Sequence, residues 1–207
     1  MPNPWLAVPL AEYEGHMAAP DVRQLAALSD LFAEALAYCR PEAIAILGVA
    51  GGNGLERIDS RATLRVLGLD VNPSYLDAVR ERHAGLRGLE LHCTDLAGEM
   101  PALAAVQLVH AALIFEHAGL GRCLDNALAL AAPGGALSVV LQLPGDGESI
   151  APGASPAIQS LKPHFSLIDP ARFRETLEDR RFRLAYQTRC PLPAGKAFWM
   201  GIFRHAP

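Results

Sequence analysis

Five short apolar runs separated by helix-length segments constrain this chain more than any other feature. They are Ala43–Leu47, Leu64–Leu69, Gly88–Cys93, Val106–Leu113 and Ala136–Leu143. The first stops at Gly48, the second at Asp70 and the third at Asp95, and the fifth is entered through Pro133–Gly135 and left through Pro144 and Gly145. Between them, Pro73–His83 opens with a proline, which suits the first helical position. Leu120, Cys123, Leu124, Ala127, Leu128 and Ala131 form a stripe at helical spacing. Strands that alternate with helices predict an α/β fold, a Rossmann-like doubly wound and mostly parallel sheet covered on both faces. Its ligand crevice is expected at the carboxyl ends of the strands. A helix from Pro20 or Asp21 to Pro41 precedes the sheet, with Leu25, Leu28, Phe32 and Leu36 on one face. A helix over 169–180 follows it. Phe182–Cys190 and Ala197–Phe203 are then two further strands, joined by Pro191–Gly195. That connection is too short for a parallel crossover, so they form an antiparallel pair.

The chain has 207 residues, 51% of them hydrophobic and 19% charged. This is enough for one packed core and too apolar for disorder. A single domain over 1–207 is expected: an arm and helix at 1–40, a central core at 43–143, a long Pro/Gly/Ser-rich loop at 144–168, and a helix with the terminal hairpin at 169–207. The net charge of −4 speaks against a protein that works by neutralising nucleic-acid phosphates. No run is long enough and free enough of polar residues to span a bilayer, and the first residues lack a basic and then apolar leader pattern. Cys39, Cys93, Cys123 and Cys190 lie far apart, so buried reduced thiols are expected, with no metal site and a cytoplasmic location.

The strongest local signal is Gly48-Val49-Ala50-Gly51-Gly52-Asn53-Gly54, directly after the first strand and ahead of an expected helix. Glycines at that place allow a tight turn and let backbone N–H groups approach a ligand. Asp70 ends the second strand at the separation expected for a carboxylate that accepts hydrogen bonds from ribose hydroxyls. Its alternative role is as the acid at the start of the helix near Pro73. Asp95, followed by Leu96, can accept from an exocyclic amine while the leucine packs on a base, or it can serve as an N-cap or turn residue.

In this order the motifs resemble the class I S-adenosylmethionine-dependent methyltransferase family over roughly residues 43–205. Thr94–Leu96, Phe115–His117 after the fourth strand, and Leu130–Gly135 before the fifth each match a segment of that family. The resemblance implies a seven-stranded sheet in the order 3-2-1-4-5-7-6, S-adenosyl-L-methionine as cofactor and a small-molecule methyl acceptor. It implies cofactor contacts from Gly48, Val49, Ala50, Gly52, Asp70, Val71, Asp95, Leu96 and Phe115. It names no catalytic residue; Glu116, His117 and His16 are the candidates for a general base, with His164 a further one. The Tyr13–Met17 cluster resembles a segment that lies over the cofactor in some members. The arm at 1–20 and the loop at 144–168 are long enough to roof the crevice, and they carry Trp5, Tyr13, His16, Met17, His164 and Phe165. Gln142 faces the crevice or packs in the sheet. Two positions depart from the family: Ala50 replaces the middle glycine, and Ile46 replaces an acid that helps hold the cofactor's ammonium group.

Two rival readings remain. Gly48, Gly52 and Gly54 also fit the nucleotide turn of short-chain dehydrogenases, a family whose resemblance would bring a Tyr-x-x-x-Lys pair. The chain has only two lysines, Lys162 and Lys196, and neither lies four residues after a tyrosine. The second rival is a protein that binds S-adenosylmethionine or S-adenosylhomocysteine without transferring a methyl group, which Ile46 and Ala50 keep open.

Overall fold

The computed structural model describes residues 3–145, 149–150 and 153–205. Residues 1–2 of the expected arm and 146–148 and 151–152 of the expected loop lie outside them, as do 206–207 of the hairpin segment. Seven strands form one sheet: β1 Ala43–Leu47, β2 Arg65–Asp70, β3 Leu89–Cys93, β4 Val106–Ala112, β5 Ala131–Leu143, β6 Phe182–Pro191 and β7 Ala197–His205. Their order is β3-β2-β1-β4-β5-β7-β6, with the first five parallel and β7 antiparallel to both neighbours. This is the order expected above. It differs from the all-parallel 3-2-1-4-5-6 sheet of dinucleotide-binding domains.

The helices are α1 Leu10–Ala18, α2 Gln24–Cys39, α3 Pro73–Arg82, α4 Phe115–Ala118, α5 Arg122–Leu130, α6 Pro156–Gln159 and α7 Pro170–Asp179. Two apolar layers sandwich the sheet. On one face α2 and α3 bring Leu28, Leu31, Phe32, Leu76 and Val79 against Ile44, Val66, Leu108 and Val140. On the other, α5 and α7 bring Cys123, Leu124, Ala127, Phe173 and Leu177 against Ala45, Leu67, Val109 and Val139. Consecutive residues of the central strands therefore point into opposite cores. This is why these strands read as unbroken apolar runs.

The structure departs from the expected elements where side chains decide the backbone. No helix follows the glycine turn; a single 3-10 turn, Leu55–Arg57, stands there. Gly52 and Gly54 take positive φ, and Glu56 folds back so that its carboxylate accepts from Gly54 N–H and from Ser29 Oγ. The face this helix would cover is taken by α2, whose Phe32 sits against Gly54. α2 begins at Gln24, not at Pro20 or Asp21, because Val22 and Arg23 donate back to Ala19 O in a turn and Arg23 takes φ +52°. The expected arm is in fact a 3-10 turn, Pro4–Ala7, followed by α1. β5 starts at Ala131: the Pro133–Gly135 segment is a bulge between the pairs Val106↔Ala131 and Leu108↔Ala136. The described part of the 144–168 loop holds α6 and a 3-10 turn, and Ile150, Ile158 and Leu161 bury themselves against Val8 of the N-terminal segment. Of the four free cysteines only Cys123 is buried; Cys93 is exposed.

Phe173 is fully buried and its ring meets Phe115 and Phe203, so with Leu177 it keys α7 to the sheet. Phe173→Ala is expected to lower stability by about 3–5 kcal/mol, read from urea unfolding. A loss under 1 kcal/mol would contradict this packing.

Candidate functional site

A crevice opens over the carboxyl ends of β1, β2, β3, β4 and β5. It is lined by Gly48, Ala50, Asp70, Val71, Thr94–Ala97, Ala112–Ile114 and Gln142 from the sheet side. Asn3, Pro4, Trp5, Tyr13, His16 and Met17 line it from the N-terminal segment, and Ile150, Ile158, Leu161, His164 and Phe165 from the chain after β5. The segments expected to roof the crevice thus do meet over it.

The floor is built by a carboxylate. Asp70 is 7% exposed; its Oδ2 accepts from Ala50 N–H at 2.9 Å and its Oδ1 from Asn72 N–H at 2.9 Å. Gly48 N–H and Val49 N–H both donate to Leu69 O, at 2.8 and 3.0 Å, so the turn after β1 hangs on the end of β2. Burial raises the Asp70 carboxyl pKa, and the N–H donors of Asn72, Ala50 and Val71 pull it back. The helix cap is Asn72, whose Oδ1 accepts from Ser74 N–H, so Asp70 holds the turn and does not cap α3. Gly48 has φ +69°, and a Cβ there would meet Ile114 Cδ1 at 2.6 Å. Ala50 sits at φ +47°, a left-handed conformation that costs a side-chain-bearing residue about 1–2 kcal/mol.

The N-terminal segment is bound down over the floor. Asn72 Nδ2 donates to Trp5 O at 3.0 Å, and Tyr75 Oη donates to Val8 O at 2.9 Å. Asn3 Nδ2 donates to Asp95 Oδ2 at 3.3 Å, while Asp95 Oδ1 accepts from Ala97 N–H in its own turn. Arg82 pairs with Glu14 and also donates to Gly51 O at 3.2 Å, tying α1 and α3 to the glycine turn.

At the β5 side a polar chain crosses the molecule. Gln24 Nε2 donates to Gln142 Oε1 at 3.3 Å, and Gln142 Nε2 donates to Ser149 O at 3.1 Å. Gln142 N–H donates to Glu116 Oε1 at 2.9 Å, while Glu116 Oε2 is buried without a partner. Burial pushes the Glu116 carboxyl up to about 7, against the pull of the Gln142 N–H.

Of the residues singled out from sequence, Gly48, Ala50, Asp70, Val71, Asp95, Leu96, His16 and His117 line the crevice. Four do not. Val49 points into the α2-side core, and Gly52 lies under the His83 ring. Phe115 packs on Phe173 in the opposite core. Glu116 turns from the crevice to the backbone of β5, which removes it as a base candidate in this arrangement. Gln24, Tyr75 and Asn3 line the crevice and were not anticipated. Gln24 opens an amphipathic helix, where a glutamine ordinarily faces water; only tertiary packing turns it inward. Among the described residues no group of His, Cys, Asp or Glu is arranged to hold a metal ion. No helix there is long and apolar enough to cross a membrane.

A scan against protein-family models matches none, and a search of curated proteins finds no relative by sequence. Solved structures do match. The chain is similar to the N-methyltransferase NodS from Bradyrhizobium japonicum WM9 in complex with S-adenosyl-L-homocysteine. The identity is 16%, over 94% of this chain and 96% of that one, with a TM-score of 0.68. It is similar to magnesium protoporphyrin IX methyltransferase ChlM from Synechocystis PCC 6803 with bound S-adenosylmethionine, at 12% identity over 98% and 93% of the chains and a TM-score of 0.70. It is also similar to the [4+2]-cyclase SpnF, at 13% identity over 89% and 82% and a TM-score of 0.68. The fold is that of the class I S-adenosylmethionine-dependent methyltransferases. At these identities the likeness extends to the fold and not to the reaction.

The raised Glu116 pKa has a consequence for stability. The folded state holds its proton up to about pH 7, whereas the unfolded chain releases it near the ordinary glutamate value of about 4.5. Stability from this group is therefore full below about pH 4.5 and is lost as pH rises toward 7. His110, buried against Ser138 and pushed down to about 4 by burial, acts oppositely and gains stability between pH 4 and 6.5. Glu116→Gln is expected to gain about 2 kcal/mol on the wild type between pH 5 and pH 7, from urea midpoints at both pH values. Parallel pH profiles for the two proteins would contradict the buried protonated carboxyl.

Proposed function

We propose that this chain is an S-adenosylmethionine-dependent methyltransferase that acts on a small-molecule acceptor in the cytoplasm. One observation carries the reading. The turn after β1, the acid at the end of β2 and the Asp95-Leu96 pair after β3 line a single crevice, in the fold shared with NodS and ChlM. The residues fit an adenosyl amino-acid ligand. Gly48 supplies a turn in which a side chain would collide with Ile114. Asp70 keeps lone pairs beyond its two backbone bonds for ribose hydroxyls. Val71 and Leu96 supply apolar faces for adenine, and Asp95 an acceptor for its amine. Where the family has an acid, this chain has Ile46. The buried amides of Gln24 and Gln142, 5% and 4% exposed, line the crevice and take over the ammonium and carboxylate of the amino-acid end.

The bound cofactor would supply an electrophilic methyl group on a sulfonium. The chain's own part is alignment and exclusion of water by the N-terminal segment and the segment after β5. Holding reactants together in this way supplies about 7–11 kcal/mol of a barrier. His117 and His16 are the candidates for a base if the acceptor must lose a proton. The net charge of −4 and the narrow roofed crevice favour a small acceptor over nucleic acid. A second reading, binding without methyl transfer, is favoured by Ile46 and Ala50 and by the likeness to the cyclase SpnF.

Calorimetric titration with S-adenosylmethionine, S-adenosylhomocysteine and NADPH tests the reading. The two adenosyl ligands are expected to bind and NADPH is not; binding of NADPH alone would overturn it. Methyl transfer to a small-molecule panel separates the enzyme from the binding protein. Gln24→Ala is expected to weaken S-adenosylhomocysteine about tenfold and leave 5′-methylthioadenosine, which lacks the amino-acid end, unchanged. Equal losses for both ligands would remove the role given to Gln24.

A further inference from the structure

Five rings run in a row along the roof of the crevice. Tyr75 of α3 stacks on Tyr13 of α1, with centroids 6.4 Å apart. Tyr13 meets Trp5 edge-on at 5.6 Å, Trp5 meets His117 edge-on at 4.9 Å, and His117 meets Phe165 edge-on at 5.0 Å. All five line the same crevice. The row begins beside β2 and ends beyond β4. Asp70 stands at the tip of β2, whereas His117 follows β4 and Phe165 lies in the segment after β5, so the far end of the row is on the other side of β1 from Asp70. The row thus leads from the Asp70 side to the far part of the same crevice, a compartment lined by His117, His164, Phe165, Ile150, Ile158 and Leu161.

The chemistry of that compartment is unusual. Among the described residues lining the crevice there is no lysine or arginine, and the only carboxylates are Asp70 and Asp95, at the ends of β2 and β3. A carboxylate, phosphate or ammonium group entering the far end would lose its hydration and meet no lysine, arginine or carboxylate among the described residues that line it, at a cost of several kcal/mol. Between Trp5 and Phe165 in the row stands the His117 imidazole. Its Nδ1 is buried and has no hydrogen-bond partner. A buried polar atom left unpaired costs about 1–3 kcal/mol, so a hydrogen-bonding partner brought to this imidazole is favoured. Burial, and after it His164, pushes the His117 pKa down to about 4, so the ring is neutral at physiological pH, with one donor and one acceptor nitrogen.

We propose that this compartment is the methyl-acceptor subsite and that it takes a flat, uncharged aromatic or heteroaromatic molecule, seated against Trp5 and Phe165, whose O–H or N–H pairs with His117. This rests on the methyltransferase reading. Edge-to-face contacts with Trp5 and Phe165 select a flat ring. The hydrogen bond to His117 selects a donor-bearing one and holds the reacting atom on the sulfonium side of the row. His117 is here an acceptor-binding residue; its low basicity suits a hydrogen-bond partner better than a proton carrier.

The test uses the whole protein saturated with S-adenosylhomocysteine. Phenol, benzoate and benzyltrimethylammonium, three probes with one ring and different charge, are titrated while the imidazole nitrogens of His117 are followed by NMR. Phenol is expected to saturate and to shift those nitrogens, and the two charged probes to bind at least tenfold more weakly. His117→Phe keeps a flat ring in the row and is expected to lose phenol affinity at least fivefold with S-adenosylhomocysteine affinity retained. His117→Gln restores a polar partner and is expected to recover part of that loss. Preferential binding of benzoate or of the quaternary ammonium would overturn the proposal, as would phenol binding that leaves the His117 nitrogens unmoved. Failure of the wild type to bind S-adenosylhomocysteine would instead overturn the methyltransferase reading beneath it.

Discussion

The carboxylate of Asp70 is the interaction on which the crevice depends. One side chain at the end of β2 accepts from the backbone of the turn after β1 and from the backbone entering α3. Two chain segments far apart in sequence are thereby set at the same height over the sheet. The turn needs this support because Ala50 occupies a left-handed conformation that its Cβ disfavours. The cost of burying the charge is partly offset by the backbone N–H groups that donate to it. The proposed ribose contact and local folding therefore draw on the same residue, and a change at Asp70 is expected to disturb both.

A second layer of organisation covers the crevice. The N-terminal segment is held by Asn72 at the cap of α3, by Tyr75 and Arg82 of that helix, and by Asp95 after β3. The segment after β5 is held by Gln142 and by a small apolar cluster that includes Val8. Trp5, His117 and Phe165 make ring contacts that join the two across α4. The sheet thus fixes the floor, while the roof is assembled from contacts between segments that contribute little to either core. The sheet order is shared with proteins of this fold, whereas a ligand's surroundings depend on side chains and on the roof, which fold alone does not set.

Most of the sheet was legible in the sequence because parallel central strands are apolar on both faces. β1 matches its run residue for residue, β3 and β4 differ from theirs by one residue at one end, and β2 is shifted by one residue at both. The antiparallel hairpin followed from a connection too short for any crossover. The helix expected after the glycine turn is absent because four positions, Gly51–Gly54, are better suited to turns than to helix. α2 also already covers that face. Glu116 and Phe115 were expected near the cofactor from their position after β4. A four-residue helix turns both inward, one to the backbone of β5 and the other into the core. Gln24 and Tyr75 could not be read as site residues. Nothing local separates a helix-terminal glutamine or a first-turn tyrosine that faces water from one that faces a crevice; the sheet order decides it.

The central claim is that one crevice over β1, β2 and β3 holds the adenosyl ligand in the arrangement described. Backbone amide NMR during titration with S-adenosylhomocysteine tests it directly. The account predicts saturable shifts concentrated at Gly48, Ala50, Val71, Asp95 and Leu96, with the β6–β7 hairpin silent. Saturation with the largest shifts elsewhere, or no saturation at all, would contradict it.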